Sequence, residues 1–257
     1  MEAVPRHMAA AESAVQMLRV MSSDNPPLGN TPVVGPRPSR RWHGDAWASV
    51  RPDGGSTDLA IGGPAAPAYG RSQAGAVLRR DLGGGASRPQ AHVRVTYAPD
   101  APSQTDIAAG LSARPFGRVP VRLLGEGRIT RTRGGTEMRP AVIAVSELPV
   151  ASLPLGIQAE GYAQAGWVGG RYATAFVDGQ ARIERPLAAI GRARLRAGGG
   201  VWGGAQKFAS RLDAGPTATL DLRDAGMPAR ISVDYRFKLA GTASPGDGVA
   251  VTLSTGF

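Results

Sequence analysis

The stretch Gly248–Phe257, GVAVTLSTGF, decides how this chain is read. Val249, Val251, Leu253, Thr255 and Phe257 fall on one side of an extended strand, and Ala250, Thr252, Ser254 and Gly256 on the other, because successive strand side chains point to opposite faces. A strand with this rhythm that ends on an aromatic has the form of the closing strand of an outer-membrane β-barrel, one face toward lipid and the other toward a polar lumen. Alternation alone also suits a half-buried strand of a soluble sheet. The strands upstream separate the two.

In Ala229–Lys238, the residues Ala229, Ile231, Val233, Tyr235 and Phe237, followed by Leu239, oppose Arg230, Ser232, Asp234, Arg236 and Lys238. Before it, Leu212, Ala214, Ala218, Leu220 and Leu222 oppose Arg211, Asp213, Thr217, Asp221 and Arg223. Ala193, Leu195, Ala197 and Val201 oppose Arg192, Arg194 and Arg196, and Ala175, Val177, Ala181 and Ile183 oppose Thr174, Asp178, Gln180, Arg182 and Glu184. Leu155–Trp167 sets its apolar side against Gln158, Glu160, Tyr162 and Gln164. The first half offers His43–Arg51, Gly70–Arg80, Gln90–Tyr97, Thr105–Ala113, Val119–Thr130 and Met138–Leu148. The total is about twelve strands, and a bacterial barrel closes on an even number. Arg223–Pro228, Arg185–Leu187, Val150–Pro154 and Arg114–Arg118 are the expected periplasmic turns. Pro52–Tyr69, Tyr97–Gln104, Arg131–Glu137, Gly166–Tyr172 and Gly241–Gly248 are expected to face outside. Strands of a soluble sandwich centre on about five or six residues, shorter than these runs.

The fold class expected is therefore all-β: an antiparallel transmembrane β-barrel over 42–257, preceded by a short helical segment over 1–24 and a Pro/Gly-rich linker over 25–41. Ala10, Ala14, Met17, Leu18 and Met21 share a helix face at three- and four-residue spacing, and DNPPLGNTPVVGPRPSRR (Asp24–Arg41) reads as extended chain. No run reaches the roughly 20 apolar residues of a spanning helix. The opening residues, broken by Glu12, Gln16 and Arg19, form no clean apolar signal core. With no cysteine, disulfides and thiol chemistry are excluded.

The formal net charge is +10, and Lys207 and Lys238 are the only lysines, so the basic charge is arginine. A basic lumen wall selects anionic or hydroxyl-rich solutes, and the pore-lining candidates are Arg122, Glu126, Arg128, Glu160, Asp178, Arg182, Glu184, Arg192, Arg194, Arg196, Asp213, Asp234, Arg236 and Lys238. The bland alternative is that these residues are cross-strand ion pairs filling a narrow barrel. An Arg-rich nucleic-acid-binding protein is a competing class, but it calls for exposed aromatics among the basic residues, and aromatics are 5% here; no nucleic-acid partner is expected.

Enzyme signatures are thin. GRSQAG (Gly70–Gly75) has Ala74 where a nucleophile elbow needs its second glycine. His7, His43 and His92 are too scattered for a metal site. His43, Asp45 and Ser49 share one strand face, but same-face neighbours lie about 6.6 Å apart along a strand, too far for direct hydrogen bonding. Neither catalysis, a cofactor nor a metal is expected.

At RISVDYRFKLAGTASPGDGVAVTLSTGF (Arg230–Phe257), with RLDAGPTATLDL (Arg211–Leu222) before it, the chain resembles the C-terminal outer-membrane barrel of TPR-containing exopolysaccharide-export proteins, the cellulose synthase C subunit among them, and related phage-adsorption proteins. The resemblance covers about the last hundred residues. It implies an outer-membrane pore domain of a Gram-negative bacterium, linked to exopolysaccharide secretion and truncated from a larger TPR-containing protein. The implied partners are outer-membrane lipid, the barrel-assembly machinery, polysaccharide and an inner-membrane synthase complex. Tyr235, Phe237, Val251, Leu253 and Phe257 would form the C-terminal insertion signal. The chain departs from the family in lacking the helical repeats and in having fewer than the roughly sixteen strands it is known for. The alternative within this class is a receptor or structural barrel without transport.

Overall fold

The computed structural model describes residues 41–51, 72–99, 103–117, 119–132, 134–171, 173–223 and 227–257. The helical segment and linker expected over 1–41 lie outside these residues, apart from Arg41.

The strands are β1 (Trp42–Val50), β2 (Gln73–Asp81), β3 (Gln90–Ala98), β4 (Gln104–Ala113), β5 (Val121–Thr132), β6 (Gly135–Ser146), the two-residue β7 (Ala151–Ser152), β8 (Gln158–Val168), β9 (Thr174–Ile190), β10 (Ala193–Gln206), β11 (Ala209–Leu222), β12 (Ala229–Ala240) and β13 (Gly248–Gly256). Each long strand pairs antiparallel with its sequence neighbour. β1 pairs with β13, from Asp45↔Gly256 to Val50↔Val251. With β6 also paired to β8, the sheet is a closed 12-strand antiparallel barrel, and closure removes the free edges that an open sheet of this size would expose.

The β6–β8 seam is the sparsest. It is in register only from Ala141↔Val168 to Val145↔Gln164. Beyond that, the Ser146 hydroxyl accepts from the Ala163 N–H at 2.8 Å, and β7 resumes pairing at Ala151↔Ala159. The β1–β13 seam is completed by reciprocal backbone bonds between Gly44 and Phe257. The Phe257 ring lies over Gly44 on the outer wall, where any β-carbon would fall 2.3 Å from the ring.

Residue parity decides which side chains face in. On β12, Ile231, Val233, Tyr235, Phe237 and Leu239 look outward while Arg230, Ser232, Asp234 and Arg236 are buried within the ring. The outer wall carries Val93, Val95, Ile107, Leu111, Leu123, Ile129, Val142, Trp167, Val177, Ile183, Val201, Val249, Val251 and Leu253, all exposed. Together these make a large apolar outer surface, which in water would be a liability and in lipid is a requirement.

Two expectations need correction. Arg185–Leu187 is not a turn: β9 runs through it, and the chain reverses at Gly191–Arg192, with Gly191 supplying φ +58°. Nor is the interior wholly polar. β6 turns Ile143 and Val145 inward, where they pack with Leu124 and Phe176.

Candidate functional site

The inner wall is the place where this sequence concentrates its chemistry. Along β8–β12 the inward residues form one connected network. Glu160 accepts from Arg230 at 3.1 Å across four strand spacings. Arg230 and Arg196 share Asp221, at 2.8 and 3.0 Å. Arg196 also meets Glu184 at 3.0 Å, and Glu184 accepts from Thr219 at 2.6 Å. Arg182 donates to Ser232 and Asp234, each at 3.0 Å. Asp234 accepts further bonds from Arg236 at 3.0 Å and Thr217 at 2.7 Å. The guanidinia of Arg182 and Arg236 lie 5.6 and 4.6 Å from the ring of Trp202, a cation–π arrangement. Beside this network, Tyr162 and Gln164 donate to Asp178 at 2.6 and 3.0 Å.

A second network lines β3–β6. Glu126 accepts from Arg94 and from His92, the latter at 3.1 Å. Arg128 meets Asp106 at 2.9 Å, and Arg139 donates to the Thr130 hydroxyl at 2.9 Å. At the rim that holds the chain's C-terminus, Glu147 takes Arg122 at 2.8 Å and Arg114 as well. These two arginines hold its carboxyl below the ordinary value of 4.5; burial is the largest single influence and acts the other way, but their bonds and charges together outweigh it.

At the opposite rim the β12–β13 connection, 241–247, folds inward. Arg211 donates to the carbonyls of Ala243, Pro245 and Gly246, and Arg51 donates to Gly246 at 3.0 Å. Asp213 accepts from both, at 3.3 Å from Arg51 and 2.7 Å from Arg211. Because Arg51 follows β1 and Arg211 belongs to β11, the loop is tied across the inside of a four-strand arc and covers part of that mouth.

Of the fourteen pore-lining candidates, Arg122, Glu126, Glu160, Arg182, Glu184, Arg196, Asp213, Asp234 and Arg236 are buried inside the ring. Arg128, Asp178 and Lys238 are half-buried, and Lys238 donates its backbone N–H to Asp247 at 2.8 Å. Arg192 and Arg194 depart from expectation. Arg192 occupies the β9–β10 turn and Arg194 is exposed. A register shift between Leu195 and Arg196 leaves only Arg196 of this triplet inside. Tyr235, Phe237, Val251, Leu253 and Phe257 stand on the outer wall, with the Tyr235 and Phe237 rings 4.8 Å apart.

The interior also holds groups absent from those candidates: Arg51, His92, Arg94, Asp106, Arg139, Arg211 and Arg230. His92 and Arg94 alternate with Val93 and Val95, so the two-residue rhythm carried a signal for them. Arg139 had none, because MRPAVIAV around it is nearly all apolar. His43, Asp45 and Ser49 do not converge: His43 bonds Asp81 at 3.0 Å, Asp45 pairs with Arg79, and Ser49 accepts from Thr252 at 3.1 Å. Among the described residues no group of three or more His, Asp or Glu could hold a metal ion.

This is a closed β-barrel of the outer-membrane type, greasy outside and hydrogen-bonding within. No protein-family model matches the chain, and no curated protein matches it. Among solved structures it is similar to a bacterial polysaccharide outer membrane secretin, at 6% identity and a TM-score of 0.44, covering 84% of this chain and 97% of that one. It is also similar to the beta domain of the Bordetella autotransporter Brka, at 12% identity and a TM-score of 0.43, with the same coverage of 84% and 97%.

Proposed function

We infer that this chain spans a bacterial outer membrane as a non-catalytic barrel, and that its lumen is the path of a polar, hydroxyl-rich solute, an exported polysaccharide chain in the reading favoured by the sequence. The observation that carries it is the division of side chains: every long strand presents apolar groups outward and most present guanidinium, carboxylate, amide or hydroxyl groups inward. Sugars are bound by the same bidentate donors and acceptors that line this wall. A 12-strand ring lies between the narrow barrels that side chains fill and the wide ones that leave an aqueous channel. On this reading Tyr235, Phe237, Val251, Leu253 and Phe257 face lipid and are the strand pair that the barrel-assembly machinery recognises, and an inner-membrane synthase complex supplies the polysaccharide.

One observation favours a second reading, a receptor or structural barrel without transport. Ion pairs bridge non-adjacent strands, as in Glu160–Arg230 and Arg182–Asp234, and the 241–247 loop is tied over one mouth. Reconstitution in planar bilayers separates the two. Steady conductance, raised by removing 242–246 and blocked by oligosaccharides, is the expected result. A heat-modifiable barrel that never conducts, with or without the loop, overturns the pore and leaves the structural reading.

A further inference from the structure

Three arginines stand in one hydrogen-bonded row of the inner wall. The registers align Arg94 with Ala108, Ala108 with Arg128, and Arg128 with Arg139, so the row crosses β3, β4, β5 and β6. The residue between the first two is alanine, with the smallest side chain that still has a β-carbon. Two carboxylates serve these three guanidinia. Glu126 takes Arg94, and Asp106 takes Arg128.

Arg139 has neither. It is 2% exposed, and among the described residues its hydrogen-bond partner is the neutral hydroxyl of Thr130. Among the described residues its Nε and Nη1 have no partner, and Arg94 Nε has none either. Glu137, the acid nearest it on β6, accepts from the backbone N–H of Arg171 at 2.8 Å. A guanidinium held away from water with unmet donors is costly, and the group that best meets a planar fork is a two-oxygen anion.

We propose that this row is an oxyanion-binding site in the lumen, anchored by Arg139 and flanked by Arg94 and Arg128, for a carboxylate or phosphate carried by the solute. It deepens the reading of the lumen as a solute path by naming the charge class that the path retains.

The test is calorimetric titration of the full chain in detergent, with sodium glucuronate and inorganic phosphate in separate arms. Saturable binding of at least one anion is expected, weakened about tenfold or more by R139Q, since charge-assisted bonds of this kind govern such differences. R223Q, at an exposed arginine of the β11–β12 turn, leaves binding unchanged. Glucuronate alone assigns the site to carboxylates, phosphate alone to phosphates, and either supports it. Heat-modifiable migration reports whether R139Q is folded; where it is not, R139K, which keeps the charge and loses the fork, is expected to weaken binding several-fold. Absence of saturable binding in the wild type, or binding indifferent to both substitutions, overturns the site. Anion binding by a barrel that never conducts keeps the site and removes the path, whereas conductance without anion binding does the reverse.

Discussion

Asp234 is wholly enclosed and serves Arg182, Arg236 and Thr217 together. A buried ion cluster adds little net stability over apolar packing, yet removing one partner leaves the others uncompensated at about 3–5 kcal/mol. Asp234→Asn keeps the shape and removes the charge, so both guanidinia lose their anion. The variant is expected to unfold from its heat-resistant form at distinctly lower temperature, as read by gel migration against temperature; an unchanged transition would show that the cluster is solvated and inconsequential. Asp234, Arg182 and Arg236 were legible in the sequence, because each alternates with an apolar neighbour. Arg139 was not, because Ile143 and Val145 on its own strand also point inward, and a strand that is apolar on both faces gives no clue to which way an embedded arginine turns.

At the scale of elements, Pro186 accounts for the six residues by which β9, ending at Ile190, outruns the end expected at Glu184. Proline marks a turn when both strand edges must be hydrogen-bonded. Beyond Glu184, the last β9 residue paired with β8, β9 is matched to β10 alone. Arg196 there faces Pro186 beside the register shift, and a strand with one open edge and an irregularity tolerates proline. The overhang also explains why Arg192 and Arg194 left the lumen: they belong to the part of the hairpin that extends past the ring. At the same rim, Glu147 gathers Arg114 and Arg122 from the β4–β5 turn and the start of β5. Its carboxyl titrates below 4.5 when folded, so the folded state binds fewer protons than the unfolded one. The stabilisation is therefore complete above about pH 4.5 and is lost as pH falls through the depressed value. Relative to the intrinsic rate at each pH, amide protection in the 114–117 and 147–150 connections is expected to fall on acidification below that point in the wild type. In Glu147→Gln that protection should already be low at neutral pH. Equal protection in both proteins at every pH would show that these arginines do not hold the turns.

For the molecule as a whole, strand number, closure and the in–out assignment of the second half, Arg192 and Arg194 excepted, followed from the two-residue rhythm, which lipid outside and polar groups inside both enforce. Which strands would tie loop 241–247 down was not legible, because Arg51 and Arg211 are far apart in sequence and meet only through the closed ring. Val233→Arg puts a charge on the outer wall of β12 and is expected to cost about 2–4 kcal/mol of folding into lipid vesicles if that wall meets the bilayer midplane, measured by urea titration. A variant that folds into vesicles as well as the wild type would take that wall out of the hydrocarbon. The gap between β6 and β8 has a mechanical consequence. A hoop under tension parts where its stitching is thinnest, so pulling on this cylinder from opposite sides should unzip it at Ala141–Val145 first, and a crosslink from Val142 to Trp167, after changing both to cysteine, should raise the rupture force more than the same staple placed across β9 and β10.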